Sequence, residues 1–86
     1  MDISVELTLT PLQDDFEPPI IEFIQQLRKS GLTVRENPLS TQVYGPYDSV
    51  MKVLHKQIKT TFEDLEHVVL TLKMVKSDRS GYEPHF

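Results

Sequence analysis

The stretch ISVELTLT, residues 3–10, alternates strictly between apolar and polar side chains. Because successive side chains of a strand point to opposite faces, this pattern predicts a β-strand with one buried face. The apolar set is Ile3, Val5, Leu7 and Leu9, and the polar set is Ser4, Glu6, Thr8 and Thr10. The polar face therefore carries three hydroxyl groups and one carboxylate, with no lysine. Such a face is either solvated or lined up to hold another molecule.

The segment after this strand predicts a helix. Pro11 ends the strand, because proline has no amide hydrogen for a sheet. Asp14 or Asp15 is expected to cap the helix, and the prolines at 18–19 suit its first turn. The helix is predicted to run to about Ser30 with one apolar stripe, formed by Ile20, Phe23, Ile24 and Leu27.

The remaining chain predicts three more strands and a second helix. The segments LTVREN at 32–37 and LSTQVYG at 39–45 both alternate, and Asn37-Pro38 separates them. A helix is predicted over residues 47–62, with a buried stripe of Val50, Met51, Leu54, Ile58 and Phe62. The run VVLTLKMV at 68–75 predicts the last strand, with Val68, Leu70, Leu72 and Met74 facing inward.

The predicted order of elements is β-α-β-β-α-β. This order is typical of the α+β ferredoxin-like sandwich, in which a four-stranded antiparallel sheet carries both helices on one face. We expect residues 1–76 to form one ligand-binding domain of this kind. Residues 77–86, SDRSGYEPHF, have no periodicity and are expected to form a polar C-terminal tail.

Composition limits the classes of function. The 86 residues carry a net charge of −4, with nine basic residues scattered along the chain, which argues against nucleic acid as the main partner. There is no cysteine, and the three histidines have no metal-ligand spacing. No nucleophile–base set or glycine-rich phosphate loop is recognisable, so we expect no catalysis, cofactor or metal. No secretory signal or membrane-spanning run is apparent, which makes a cytoplasmic protein without a membrane partner the expectation.

The second face of the predicted sheet is where a function is expected. Strand alternation gives this face the polar side chains of the first strand together with Thr33, Arg35, Asn37, Gln42, Tyr44, Val69, Thr71 and Lys73. In a ferredoxin-like sheet the first and third strands are neighbours, so Glu6 and Thr8 should lie near Gln42 and Tyr44. A solvated face is one interpretation, because Thr and Tyr are good strand formers. The other is a face covered by a second subunit or lining a ligand pocket.

Three segments together resemble the small thiamine-binding-protein family. They are SVELTLTPL at 4–12, GLTVRENPLSTQVYG at 31–45 and DSVMKVLHK at 48–56, in the order and spacing of that family. The resemblance covers about Ile3 to Val75 and leaves out the tail. Ser40 stands where glycine is common in the family's corresponding segment.

The resemblance implies binding of thiamine or its hydroxymethylpyrimidine part without catalysis. It also implies homodimers or homotetramers that assemble through sheet edges and faces. Under this hypothesis Glu6 accepts from the aminopyrimidine amine or offsets the thiazolium charge. The other expected ligand contacts are Thr8, Thr41 and Gln42 as neutral hydrogen-bonding groups, Tyr44 as a stacking or cation–π surface, and Ser4 and Asn37 as further contacts.

Other functions of the same fold remain to be weighed, because the fold alone does not decide between them. An RNA-recognition module would need aromatic side chains on the central strands and a basic face, whereas the first strand has no aromatic residue and the protein is acidic. An acylphosphatase-like enzyme would need an arginine in a glycine-rich loop after that strand, whereas LQDDFEPP at 12–19 is acidic. A structural or protein-interaction oligomer without a small ligand stays open, as does a stand-alone regulatory domain that binds an amino-acid-type ligand.

Overall fold

The computed structural model describes residues 1–86 as six elements in the predicted order. They are β1 (Asp2–Pro11), α1 (Glu17–Arg28), β2 (Thr33–Glu36), β3 (Thr41–Pro46), α2 (Tyr47–Asp64) and β4 (Val68–Val75). No helix is long and apolar enough to cross a membrane.

The strands form one antiparallel sheet in the order β2-β3-β1-β4. This confirms the predicted α+β ferredoxin-like sandwich with both helices on one face. In the register, Val5 lies opposite Val43 of β3 and Met74 of β4, whereas Glu6 lies opposite Gln42 and Lys73. The odd-numbered residues 3–9 of β1 therefore face the helices, and its even-numbered residues form the open face of the sheet.

The core lies between the sheet and the two helices. It consists of nine buried apolar side chains: Ile3, Val5, Leu7, Leu9, Phe23, Leu27, Val43, Val50 and Leu54. These positions confirm the alternation of β1 and, in α1, the burial of Phe23 and Leu27, whereas Ile20 and Ile24 of the predicted stripe are only partly buried. Burying them removes apolar area from water, which is the main favourable contribution to folding.

The sequence overestimated burial at the end of α2 and on the edge strand β4. Phe62 of α2 is 47% exposed, and Leu72 and Met74 of β4 are 40% and 39% exposed, although the register places both on the helix side. β4 is an edge strand of the sheet, and Phe62 lies in the last turn of α2. Periodicity indicates the direction in which a side chain points, but it does not indicate whether a neighbour covers it.

The boundaries of α1 and β2 also differ from the prediction. α1 begins after Phe16, and no aspartate side chain caps it, although proline does stand in its first turn. It ends at Arg28, and the chain then turns through Gly31 with a φ of 84°, a left-handed conformation that glycine adopts without strain. β2 ends at Glu36 because the Asn37 side chain starts a turn.

Arg28 and Glu36 form an exposed pair that joins the end of α1 to β2. Arg28 Nε and Nη2 each donate to a different oxygen of the carboxylate at 2.6 Å. These hydrogen bonds, together with the guanidinium charge, hold the pKa of Glu36 below its ordinary value. Since the folded-state pKa is lowered, the pair stabilises the fold above the unfolded-state pKa. That stabilisation is lost as the pH falls through the folded-state pKa.

We expect Arg28→Gln to raise the pKa of Glu36 towards the ordinary glutamate value, because the bidentate donor is gone. A carboxyl-carbon NMR titration of Glu36 in both proteins measures the change. Lys59→Gln is the matched control, since Lys59 lies beside Glu63 instead. If the pKa of Glu36 were unchanged in Arg28→Gln, Arg28 would not be the cause of its lowered value.

Candidate functional site

The open face of the sheet carries one transverse row of charged and polar side chains. The register aligns Arg35 of β2 with Gln42 of β3, Gln42 with Glu6 of β1, and Glu6 with Lys73 of β4. Neighbouring strands lie about 4.8 Å apart, so these four side chains project side by side from one surface. A carboxylate and an amide stand in the middle of the row, with a cation at each end.

A concavity of about 180 Å³ lies over the part of this row formed by Gln42, Glu6 and Lys73. It is lined by Ser4, Val5, Glu6, Gln42, Tyr44, Lys73, Val75 and Arg79. Four of the seven predicted ligand residues, Ser4, Glu6, Gln42 and Tyr44, are therefore brought together at one place. Whether they bind a ligand stays a prediction.

A chain of hydrogen bonds organises the polar groups of the concavity. The Tyr44 hydroxyl donates to Gln42 Oε1 at 3.4 Å, and Gln42 Nε2 donates to Ser40 Oγ at 3.3 Å. The Ser40 hydroxyl donates to Glu6 Oε2 at 3.1 Å. Tyr44, Gln42, Ser40 and Glu6 are all partly shielded from solvent. This series of hydrogen bonds leaves the other carboxylate oxygen of Glu6, Oε1, free to accept a hydrogen bond from a ligand.

One charged group, the guanidinium of Arg35, lies over the aromatic ring of Tyr44. The Arg35 guanidinium carbon lies 5.7 Å from the ring centroid, within cation–π range. Hydrogen bonds from Ser80 lower the pKa of Asp78, and the charge of nearby Arg35 adds to this effect. Arg35 of β2 and Asp78 of the C-terminal tail thus lie near each other at this end of the face, without forming an ion pair.

The other three predicted ligand residues lie elsewhere. Thr8, Asn37 and Thr41 line a second concavity of about 160 Å³ at the β2–β3 turn. Asn37 Oδ1 accepts from the amides of Leu39 and Ser40 at 2.8 and 2.9 Å, which holds the turn. Thr8 Oγ1 contacts the Leu39 carbonyl at 3.4 Å.

Thr41 does not lie on the open face. It pairs with Leu7 in the register, so it points towards the helices, and it is only 7% exposed. Its neighbour Gln42 takes the open face, and alternation prevents one strand from presenting both residues to the same side. Thr41 and Gln42 therefore lie on opposite faces of the sheet, as strand alternation predicts, and a ligand contact by Thr41 stays a prediction.

The C-terminal tail folds back onto the open face at Ser4. The Ser4 hydroxyl donates to the Ser77 carbonyl at 2.7 Å and accepts from the Arg79 amide at 2.8 Å. These two bonds explain why Ser4, a polar residue on the open face, is buried. They also bring Arg79 to the edge of the concavity. Ser4 thus anchors the tail, a role that strand alternation could not indicate.

We expect Ser4→Ala to release the tail from the sheet, because it removes both of these hydrogen bonds. The free energy that holds the tail on the sheet should fall by about 1–3 kcal/mol, because the Ser77 carbonyl and the Arg79 amide lose their partner. Amide hydrogen exchange at Arg79 should therefore become faster. Hydrogen exchange followed by NMR measures this protection. The control is Ser49→Ala, which changes an exposed serine of α2. Equal exchange rates at Arg79 in the two variants would contradict the anchoring role of Ser4.

Sequence reasoning placed Lys73 on the open face but gave it no role, and it missed Ser40 and Arg79. Ser40 precedes β3 and has no periodicity to mark it, and Arg79 lies in the aperiodic tail. Hydrogen bonds between residues far apart in sequence bring both to the site.

No group of three or more His, Cys, Asp or Glu side chains is placed to hold a metal ion. The arrangement is suited to hold a flat polar molecule through hydrogen bonds and one aromatic face.

Comparison with known proteins gives one family match. The model of a family described as thiamine-binding protein matches residues 5–85. The match runs past Val75, where the quoted resemblance ended, and so includes most of the tail. No curated protein matches the chain significantly.

Several solved structures share the fold. A Thermotoga maritima protein provisionally assigned to thiamine biosynthesis or salvage is 18% identical, with a TM-score of 0.80 over 90% of this chain and 85% of its own. A Streptococcus pneumoniae protein is 22% identical, with a TM-score of 0.83 over 91% and 89%. A hypothetical Methanocaldococcus jannascii protein is 23% identical, with a TM-score of 0.76 over 90% and 81%. At these identities the three structures support the fold and nothing finer.

Proposed function

Because this chain belongs to the thiamine-binding protein family, we propose that its open sheet face binds thiamine or its hydroxymethylpyrimidine part without catalysing a reaction. In this proposal the protein acts in the cytoplasm as a homo-oligomer. The observation that carries the proposal is the group of Glu6, Gln42 and Tyr44 around one concavity.

The chemistry of these three side chains complements an aminopyrimidine. The exocyclic amine of that ring donates hydrogen bonds, which the free oxygen of the Glu6 carboxylate can accept. The ring nitrogens accept hydrogen bonds, and the Gln42 amide can donate to one of them, because only one of its two amide hydrogens is used in the bond to Ser40. The flat ring can stack on the half-buried face of Tyr44.

The size of the concavity favours a second copy of the chain as part of the site. Its volume of about 180 Å³ is below the roughly 300–1,000 Å³ of pockets that enclose small molecules. β4 is an edge strand of eight residues, and its apolar Val69, Leu72 and Met74 are partly exposed. Such an edge is a template for pairing with another chain. We expect dimers or tetramers, measurable by multi-angle light scattering.

The exposed side of β4 also favours a second candidate, an interaction oligomer without a small ligand. In that case the oligomer would form, and neither thiamine nor hydroxymethylpyrimidine would bind. A regulatory domain for an amino-acid-type ligand would instead bind amino acids in the same assay.

Isothermal titration calorimetry of the purified protein with thiamine and with hydroxymethylpyrimidine tests the proposal. We expect saturable heat from at least one of the two, with an affinity near or below about 10 μM. At about 100 μM ligand this affinity should add more than about 1 kcal/mol to the free energy of unfolding. If neither compound produced binding heat or thermal stabilisation, the proposed ligand class would be rejected.

A further inference from the structure

The charge that lines the concavity is opposite in sign to that of the whole chain. The protein has a net charge of −4, yet the concavity is lined by one carboxylate, Glu6, and two cations, Lys73 and Arg79. Arg35 stands at the far end of the same transverse row, where the Asp78 carboxylate of the tail lies near it. A site built only for the thiazolium cation would be expected to carry an excess of carboxylates instead.

None of these cations has a carboxylate within ion-pair distance. The three ion pairs of the chain are Arg28–Glu36, Lys59–Glu63 and Glu66–His67. Glu6 lies opposite Lys73 in the register, but its carboxylate is hydrogen-bonded to the Ser40 hydroxyl. The Lys73 ammonium and the Arg79 guanidinium are therefore free to bind an anion.

The positions of the two cations are set by different parts of the fold. Lys73 is held by the pairing of β4 with β1, and Arg79 by the hydrogen bond from its amide to Ser4 Oγ at 2.8 Å. Both stand on the β4 and tail side of the concavity, while Gln42 and Tyr44 stand on the β3 side. The site thus has a neutral, aromatic part that suits a pyrimidine and a cationic part beside it.

We infer that the site is built for a phosphate monoester of the proposed ligand, with Lys73 and Arg79 binding the phosphate. Lysine and arginine donate charge-assisted hydrogen bonds to phosphate oxygens, and such bonds are stronger than neutral ones. The inference rests on the proposed function and narrows it to phosphorylated hydroxymethylpyrimidine or thiamine monophosphate. The dianionic ester would offset the local positive charge, which the bare thiazolium cation would increase.

The test compares matched ligand pairs by calorimetry: hydroxymethylpyrimidine against its monophosphate, and thiamine against thiamine monophosphate. Two charge-assisted contacts should make the phosphorylated form bind at least about tenfold more tightly. Raising the salt from about 0.1 M to about 1 M shortens the screening length from about 10 Å to about 3 Å and should reduce this advantage. Lys73→Gln and Arg79→Gln should each lower the ratio of the two affinities, whereas Lys52→Gln on α2 should leave it unchanged.

Equal affinities within both pairs would overturn the inference and leave the proposed function standing. A phosphate preference that survives in the Lys73→Gln/Arg79→Gln double variant would overturn the assignment of the two residues. Inorganic phosphate that binds as tightly as the esters would mean that the pyrimidine adds nothing, which would overturn both proposals. The absence of binding by every member of both pairs would also overturn both.

Discussion

Leu27→Ala is expected to lower the free energy of unfolding by about 2–5 kcal/mol. Leu27 is fully buried on α1 among the core side chains, so its truncation removes buried methyl groups and leaves a cavity. A domain of this size has a total stability of roughly 5–15 kcal/mol, which makes the loss a large share of the whole. Urea unfolding followed by circular dichroism measures it as a lower midpoint with an unchanged slope.

Leu39→Ala is the matched control for this prediction. Leu39 lies in the β2–β3 turn and is 86% exposed, so the same chemical change should alter stability by no more than about 0.5 kcal/mol. If the two variants unfolded at the same urea concentration, the position of Leu27 at the centre of the core would be contradicted.

The fold was predictable because burial imposes a period on each element. In β1 the period of two separates Ile3, Val5 and Leu7 from Ser4 and Glu6, and the structure buries that apolar set. In α1 a period near 3.6 places Phe23 and Leu27 on the buried face. Four strands and two helices in this order leave few ways to cover every apolar face, so the topology followed from the element order.

The composition of the site was less predictable because it depends on contacts that have no period. Alternation placed Glu6, Gln42 and Tyr44 on one face, and the register confirms their adjacency. It could not show that the tail returns to Ser4, because the bonds from Ser4 to Ser77 and Arg79 span more than seventy residues. Thr41 was named as a ligand contact only because of the family resemblance, and its burial on the helix side of β3 leaves that contact a prediction.

Glu6→Gln is expected to weaken binding of hydroxymethylpyrimidine by about tenfold or more. A hydrogen bond to a charged group contributes about 1.5–3 kcal/mol, and 1.4 kcal/mol corresponds to a factor of ten in affinity. A glutamine side chain has only one acceptor oxygen, and the Ser40 hydroxyl would donate to it. The NH₂ group of the glutamine would then face the amine of the ligand, and two donors cannot form a hydrogen bond with each other. Calorimetric titration of both proteins under the same conditions measures the difference.

Two controls separate the role of Glu6 in binding from a role in folding. Glu22→Gln changes an exposed carboxylate on α1, outside the Glu6 concavity, and should leave the affinity unchanged. Ser40→Ala removes the hydroxyl that holds Glu6 but keeps the carboxylate, so it should weaken binding less than Glu6→Gln does. If Glu6→Gln bound hydroxymethylpyrimidine as tightly as the unchanged protein, Glu6 would have no part in recognition. If instead that variant bound the free pyrimidine weakly and its monophosphate well, the carboxylate would recognise the amine and the cations of β4 and the tail would recognise the phosphate. The open face would then divide its ligand between two neighbouring sets of side chains.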